Sequence, residues 1–88
     1  MTRTRVTPEY VEAVVVSETF TTLPSGKVVI CEITLLNGFT VIGKSGVVDI
    51  KSFDMAKAME ISRRKAIDEI YQLEGYLLQE ELYYKGKE

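Results

Sequence analysis

Residues 38–45 read GFTVIGKS and satisfy the phosphate-loop pattern G-x-x-x-x-G-K-[ST] letter for letter. Two backbones compete for this stretch: a glycine-rich cradle between a parallel strand and a helix, or an extended strand leaving a hairpin. The preceding residue decides. Asn37-Gly38 between TLL and FTVI is the strongest short hairpin signal, because both central residues of a type I′ turn need positive φ. With those two residues as the turn, Leu36 is expected opposite Phe39, and FTVI runs back antiparallel to the preceding strand. The segment after Lys44-Ser45, GVVDI, has neither a helix start nor helical spacing, and no hydrophobic strand ends in an Asp placed to hold magnesium. The stretch is a hairpin strand, and a nucleotide hydrolase is the least favoured reading.

Upstream, KVVICEITLL places Val29, Cys31, Ile33 and Leu35 on one face and Val28, Ile30, Glu32 and Thr34 on the other. One face is apolar and the other mixed, as expected of a sheet covered on one side. Pro24 and Gly26 in LPSGK reverse the chain. Before them, residues 15–23 are dense in β-branched residues and read as a first strand. Thr7-Pro8-Glu9 carries an N-cap, a proline where its missing N–H costs nothing, and an acid at the positive helix end, so a short helix is expected over PEYVEAV.

Downstream, Asp49 and Asp54 are both N-cap residues, predicting a helical turn at 50–53 and a long helix over about 54–83. Met59, Ser62, Ala66, Ile70, Leu73 and Leu77 form its apolar stripe, with Ile67, Tyr71 and Leu78 alongside. The fold class is therefore α+β: a short N-terminal helix, a three-stranded antiparallel β-meander and a long C-terminal helix, in one small domain over 1–88. A helix of about 45 Å outruns a three-stranded sheet. Its far end, YLLQEELYY, is expected to pack on a second chain, giving a homo-oligomer through the long helix. Gly75 within it reads as a close crossing or a kink.

Composition narrows the chemistry. The chain has one cysteine and no histidine, which excludes an internal disulfide and Cys/His zinc patterns. Cys31 reads as a buried core thiol. No metal or cofactor is expected, and catalysis is not expected. The net charge of −2 provides no general attraction for nucleic acid or anionic membrane. The N-terminal MTRTRVTPEY has two arginines without an apolar stretch to follow, and no segment approaches the roughly 20 apolar residues of a membrane span, so an intracellular protein is expected.

The acids along the long helix read as solvated faces with i,i+4 pairs such as Glu60 with Arg64. Arg63-Arg64-Lys65 spreads over about 200°, so at least one of the three approaches the apolar side. That leaves a solvated run, or a guanidinium turned into a pocket to meet phosphate oxygens, with Lys44 and Ser45 adding a cation and a hydroxyl. Phe39 is either core or a ring offered to a planar base. Residue chemistry alone leaves a ligand-binding protein and a protein-interaction module side by side.

The run NGFTVIGKSGVVDIKSFD, then the basic helix, then LEGYLL, resembles a family of small tailed-phage proteins that includes the type-one Thoeris anti-defence proteins. The resemblance spans roughly residues 8–80. It implies a sponge that binds a cyclic ADP-ribose isomer, or cyclic di- or trinucleotides, without cleaving it, in the cytoplasm of an infected bacterium. It also implies a dimer or trimer of dimers with the ligand between protomers. Phe39 would stack on adenine, Asp49 would bond a base or ribose hydroxyl, and Arg63 or Arg64 would meet phosphates. Gly46-Val47 stands where Ala-Cys is expected, Ile50 replaces a proline, and Lys51-Ser52 replaces a position that is often Asn, so the pocket rim differs from the pattern.

Overall fold

The computed structural model describes residues 5–86. The element order is α1 (Pro8–Ala13), β1 (Val15–Thr22), β2 (Val28–Leu35), β3 (Thr40–Gly46), a 3-10 turn (Ile50–Ser52) and α2 (Met55–Lys85). The sheet order β1-β2-β3 with both pairings antiparallel is the expected meander. Caps fall where the sequence put them. Thr7 Oγ1 accepts from Tyr10 N, Asp49 Oδ1 from Lys51 N and Asp54 Oδ1 from Lys57 N. Of the two N-terminal arginines, Arg3 lies outside the described residues.

The β2–β3 hairpin differs from expectation by one residue. Leu35 N–H donates to the Phe39 carbonyl at 2.8 Å, so Phe39 faces Leu35 rather than Leu36. The loop is the three residues Leu36-Asn37-Gly38. Of these three Gly38 alone takes positive φ, at 88°, and no non-glycine residue among those described does. A single left-handed residue suffices when the turn is a type I turn closed by a bulge. Asn37 remains at negative φ because its side chain serves another purpose: Oδ1 accepts from Phe39 N–H at 3.0 Å. The strand also extends beyond FTVI through Lys44 and Ser45 to Gly46.

Alternation along β2 and β3 is strict. Val29, Cys31, Ile33 and Leu35 are buried on β2, and Val41, Gly43 and Ser45 on β3. α2 covers that face, packing chiefly on β3 and then on β2. The core joins Val11, Val14, Cys31, Ile33, Leu35, Val41, Ala66 and Ile70. Gly43 sets how close the helix lies: a Cβ there would overlap Ser62 O and Ala66 N and stand 2.9 Å from the Lys65 carbonyl carbon. Both glycines of the apparent phosphate loop thus have structural roles, Gly38 for its φ and Gly43 for the helix above it.

The stripe on α2 agrees with expectation at Ser62, Ala66, Ile70 and Leu78 and departs from it at Met59, Leu73 and Leu77. Its buried residues are Ala58, Ser62, Ala66, Ile70, Glu74 and Leu78, spaced by four throughout. Each such step overshoots a full turn by about 40°, so the contact line winds around the helix instead of running straight. Met59 is half-buried, while Leu73 and Leu77 are 37% and 50% exposed, because the sheet ends beneath them. Strands of seven or eight residues span about 25 Å and the helix about 46 Å, which accounts for the 58 Å long axis. The helix runs without interruption through Gly75, where an added Cβ would meet nothing within 4 Å.

These two glycines give opposite predictions. Gly43→Ala forces β3 and α2 apart and should cost about 3 kcal/mol or more in chemical denaturation. Gly75→Ala adds helix propensity in open space and should stabilise by about 1 kcal/mol. Equal effects of the two would contradict the close β3–α2 contact.

Candidate functional site

An open cleft of about 220 Å³ lies where α2 passes over the hairpin tip, lined by Leu35, Asn37, Phe39, Leu73, Tyr76 and Leu77 together with Glu74. It forms because two apolar surfaces outlast the core. The side chain of Phe39 shares its strand face with Val41 but stands one step beyond it, and is 55% exposed. Tyr76 and Leu77 project from the overhanging helix at 67% and 50% exposed. Leu36, 70% exposed, extends the apolar rim. Toward the helix end, Tyr83 and Tyr84 meet edge to face with ring centres 5.2 Å apart. A planar ring is a suitable guest for such a cleft, since aromatic faces stack with little loss of freedom.

The remaining predicted site residues do not converge on it within one chain. Lys44 is on the opposite face of β3 from α2, exposed and facing Ile30. Ser45 is buried under the start of α2, beside a small cavity of about 90 Å³ that Ser52, Asp54 and Lys57 also line. Six strand steps of about 3.3 Å separate it from Phe39, or about 20 Å. Asp49 lies at that same far end, exposed, with Oδ1 engaged in capping the 3-10 turn. Phe39 and Asp49 can therefore serve one ligand only if they come from different protomers.

The basic run resolves by helix geometry. With Ser62 and Ala66 facing the sheet, Arg64 points directly away from it and Arg63 and Lys65 flank it. Arg64 is exposed and does not pair with Glu60. Arg63 does turn toward the protein, as one member of the run had to, but two carboxylates meet it. Nη2 donates to Glu12 Oε1 at 2.8 Å, and Nε to Glu18 Oε2 at 2.9 Å. The hydrogen bond to Glu12 raises its pKa further above the ordinary guanidinium value; burial opposes this and Glu18 adds to it. One side chain thereby ties together α1, β1 and α2. Neither Glu12 nor Glu18 was singled out in the sequence, and no local signal marks them, since they lie 51 and 45 residues from Arg63.

Cys31 is fully buried in the core. Burial pushes its thiol pKa up, Glu18 adds to this, and Arg63 opposes it. Among the described residues no group of three or more His, Cys, Asp and Glu is placed to hold a metal ion, and no helix is long and apolar enough to cross a membrane.

Two measurements check this electrostatic picture. A double-mutant cycle of Arg63→Met with Glu18→Gln should give a coupling of about 0.5–1 kcal/mol that shrinks in high salt, and zero coupling would contradict the clasp. The Cys31 thiol should resist iodoacetamide in the folded protein and react on denaturation. A thiol raised in the folded state binds its proton more tightly there, so stability should fall as pH rises through the ordinary thiol range.

Neither a curated protein nor a solved structure matches this chain. Residues 6–82 match the profile of the Phage protein (N4 Gp49/phage Sf6 gene 66) family. With a match of that extent, over the sheet and nearly all of α2, the chain belongs to this phage protein family.

Proposed function

We propose that this phage protein acts against host defence by sequestering a cyclic nucleotide signal, a cyclic ADP-ribose isomer or a cyclic di- or trinucleotide, without cleaving it. The supporting observation is Phe39, a ring held half-exposed in an apolar cleft by a tightly specified hairpin. Fixing the ring before the ligand arrives removes an ordering cost from binding, and a stacked base is worth about 1–3 kcal/mol. The NGFTVIGKS and LEGYLL motifs bring the resemblance to nucleotide sponges, and family membership in a phage group agrees with it.

In this reading the protein is a homo-oligomer in the bacterial cytoplasm, and the ligand lies between protomers. The base stacks on Phe39 of one protomer while Asp49 of another receives a hydroxyl or base edge. Exposed Arg64 and Lys44 are free to meet phosphates. Arg63 joins them only by exchanging Glu12 and Glu18 for phosphate oxygens. Holding a ligand needs stacking and charge but no general acid or base, so the protein releases its ligand unchanged.

A second reading rests on the overhang of α2. Tyr76, Leu77, Tyr83 and Tyr84 are 67%, 50%, 49% and 62% exposed and suit a protein partner. A thermal-shift panel with cyclic ADP-ribose isomers, cyclic dinucleotides, cyclic trinucleotides and ATP separates the two. A tight ligand at about a thousandfold its Kd should add about 4 kcal/mol, and Phe39→Ala should abolish the shift while leaving the unliganded melt within a degree or two. No shift with any cyclic species sinks the sponge reading and favours the protein-interaction one.

A further inference from the structure

β1 is an edge strand, and its hydrogen-bonding parity can be read from the loops that join the sheet. Leu23 N–H donates to the Val28 carbonyl, and the β1–β2 register continues in step from Thr22↔Val29 to Ser17↔Thr34. Paired residues in an antiparallel ladder alternate between bonded and non-bonded, so Ser17, Thr19 and Thr21 bond to β2. The N–H and C=O groups of Glu18, Phe20 and Thr22 therefore point away from the sheet. The β2–β3 hairpin gives the same parity independently. There Leu35 bonds Phe39, which assigns odd positions of β2 to β3 and even positions to β1.

Exposed edges are usually blunted by lysine, proline, a bulge, an inward-pointing charge or a covering element. β3 has Lys44 near its middle. β1, VVSETFTT, has neither lysine nor proline over eight positions. Its one charge, Glu18, is on the helix-covered face, where Arg63 holds it. With Glu18 paired to Arg63 and the bulge confined to the start of the strand, the edge from Ser17 to Thr22 is left as a template for another strand.

We infer that β1 pairs antiparallel with β1 of a second copy across a two-fold axis at Phe20, joining two sheets into one of six strands with both α2 helices on the same face. The register follows from which residues a two-fold places opposite each other. An axis at Glu18 sets two like charges face to face, which is destabilising. An axis at Thr19 sets the Glu18 carboxylate against the partner's Phe20 ring, and an axis at Thr21 runs Glu18 against Pro24, which has no N–H to give. An axis at Phe20 places Phe20 opposite the partner's Phe20, Glu18 opposite the partner's Thr22, and on the other face Thr19 opposite the partner's Thr21. Aromatic and threonine pairs of this kind are favourable across strands. The register shift between Val15 and Ser17 and the turn at Pro24 bound the ladder at both ends, so the pairing closes on itself and does not propagate. This interface is independent of the overhang of α2 and of any ligand.

Thr22→Pro tests it directly. The Thr22 amide points out of the sheet and its side chain is exposed, so proline leaves the β1–β2 ladder intact while removing a donor from the proposed one. Light scattering should show an assembly of at least two chains for the full-length protein and a mass lowered at least twofold for the variant. Residue-level amide exchange should show the Phe20 amide protected in the parent and unprotected in the variant, with Thr19 and Thr21 protected in both. Thr19→Lys with Thr21→Lys, on the outer face away from the core, provides a second route if proline disturbs the strand. These lysines face each other across the axis and should separate the copies, and mixing with a Thr19→Glu, Thr21→Glu chain should restore one-to-one pairing. A Phe20 amide that exchanges freely in the parent, or a mass unchanged by either variant, overturns the inference.

Discussion

At Gly43 the backbone of β3 and the backbone of α2 meet with no side chain between them, and the distance of closest approach there sets the depth of the whole two-layer fold. Ser62 and Ala66 can be small because nothing larger fits above Gly43, and both are completely buried. The Ser62 hydroxyl donates to the Met59 carbonyl one turn back, so its burial leaves no orphaned polar group. With the helix drawn down at this point, Val41 and Ile33 reach Ile70, and the rest of the core closes around them. Ser45, on the same strand face, then lies under the first turns of the helix.

The same contact fixes the rotation of α2, and charge placement follows. Once Ser62 and Ala66 face the sheet, Arg63 must emerge on the flank nearest β1, where Glu18 and Glu12 meet it. The clasp adds to the burial of Val11 in holding α1, a helix of only six residues and too short to be stable alone. It also commits the one basic side chain of the run that faces the protein. An anionic ligand must either compete with two carboxylates for Arg63 or rely on the exposed cations, a cost that a phosphate-binding arginine in open solvent does not carry.

Much of this was legible in the residues, and the exceptions are instructive. Alternation along Val29–Leu35, the three caps and the turn glycines are local signals, and local structure obeyed them. The hairpin register slipped because Asn37 had two uses, a positive-φ turn residue or an acceptor for the Phe39 amide, and the second won. The stripe on α2 held at Ser62, Ala66 and Ile70 but not beyond, because a straight stripe assumes a partner as long as the helix; where the sheet ends, Leu73 and Leu77 lose their cover and Glu74 turns inward. The pairing of Arg63 with Glu12 and Glu18 had no signature at all, since contacts over 45 residues depend on the fold. Phe39 was ambiguous in sequence and is ambiguous in kind, continuing the core face while half open to solvent.

Family membership and the exposed ring make sequestration the account's central claim, and recovery of an intact ligand tests it most directly. The protein is incubated with excess cyclic ADP-ribose isomer, cyclic dinucleotide or cyclic trinucleotide, freed of unbound nucleotide by gel filtration, and denatured by heat. The released small molecules are then identified by mass spectrometry. The account predicts that one of these species co-elutes with the protein and is recovered unchanged, and that Phe39→Ala retains none. A protein fraction carrying no nucleotide, or yielding only hydrolysed product, would contradict it.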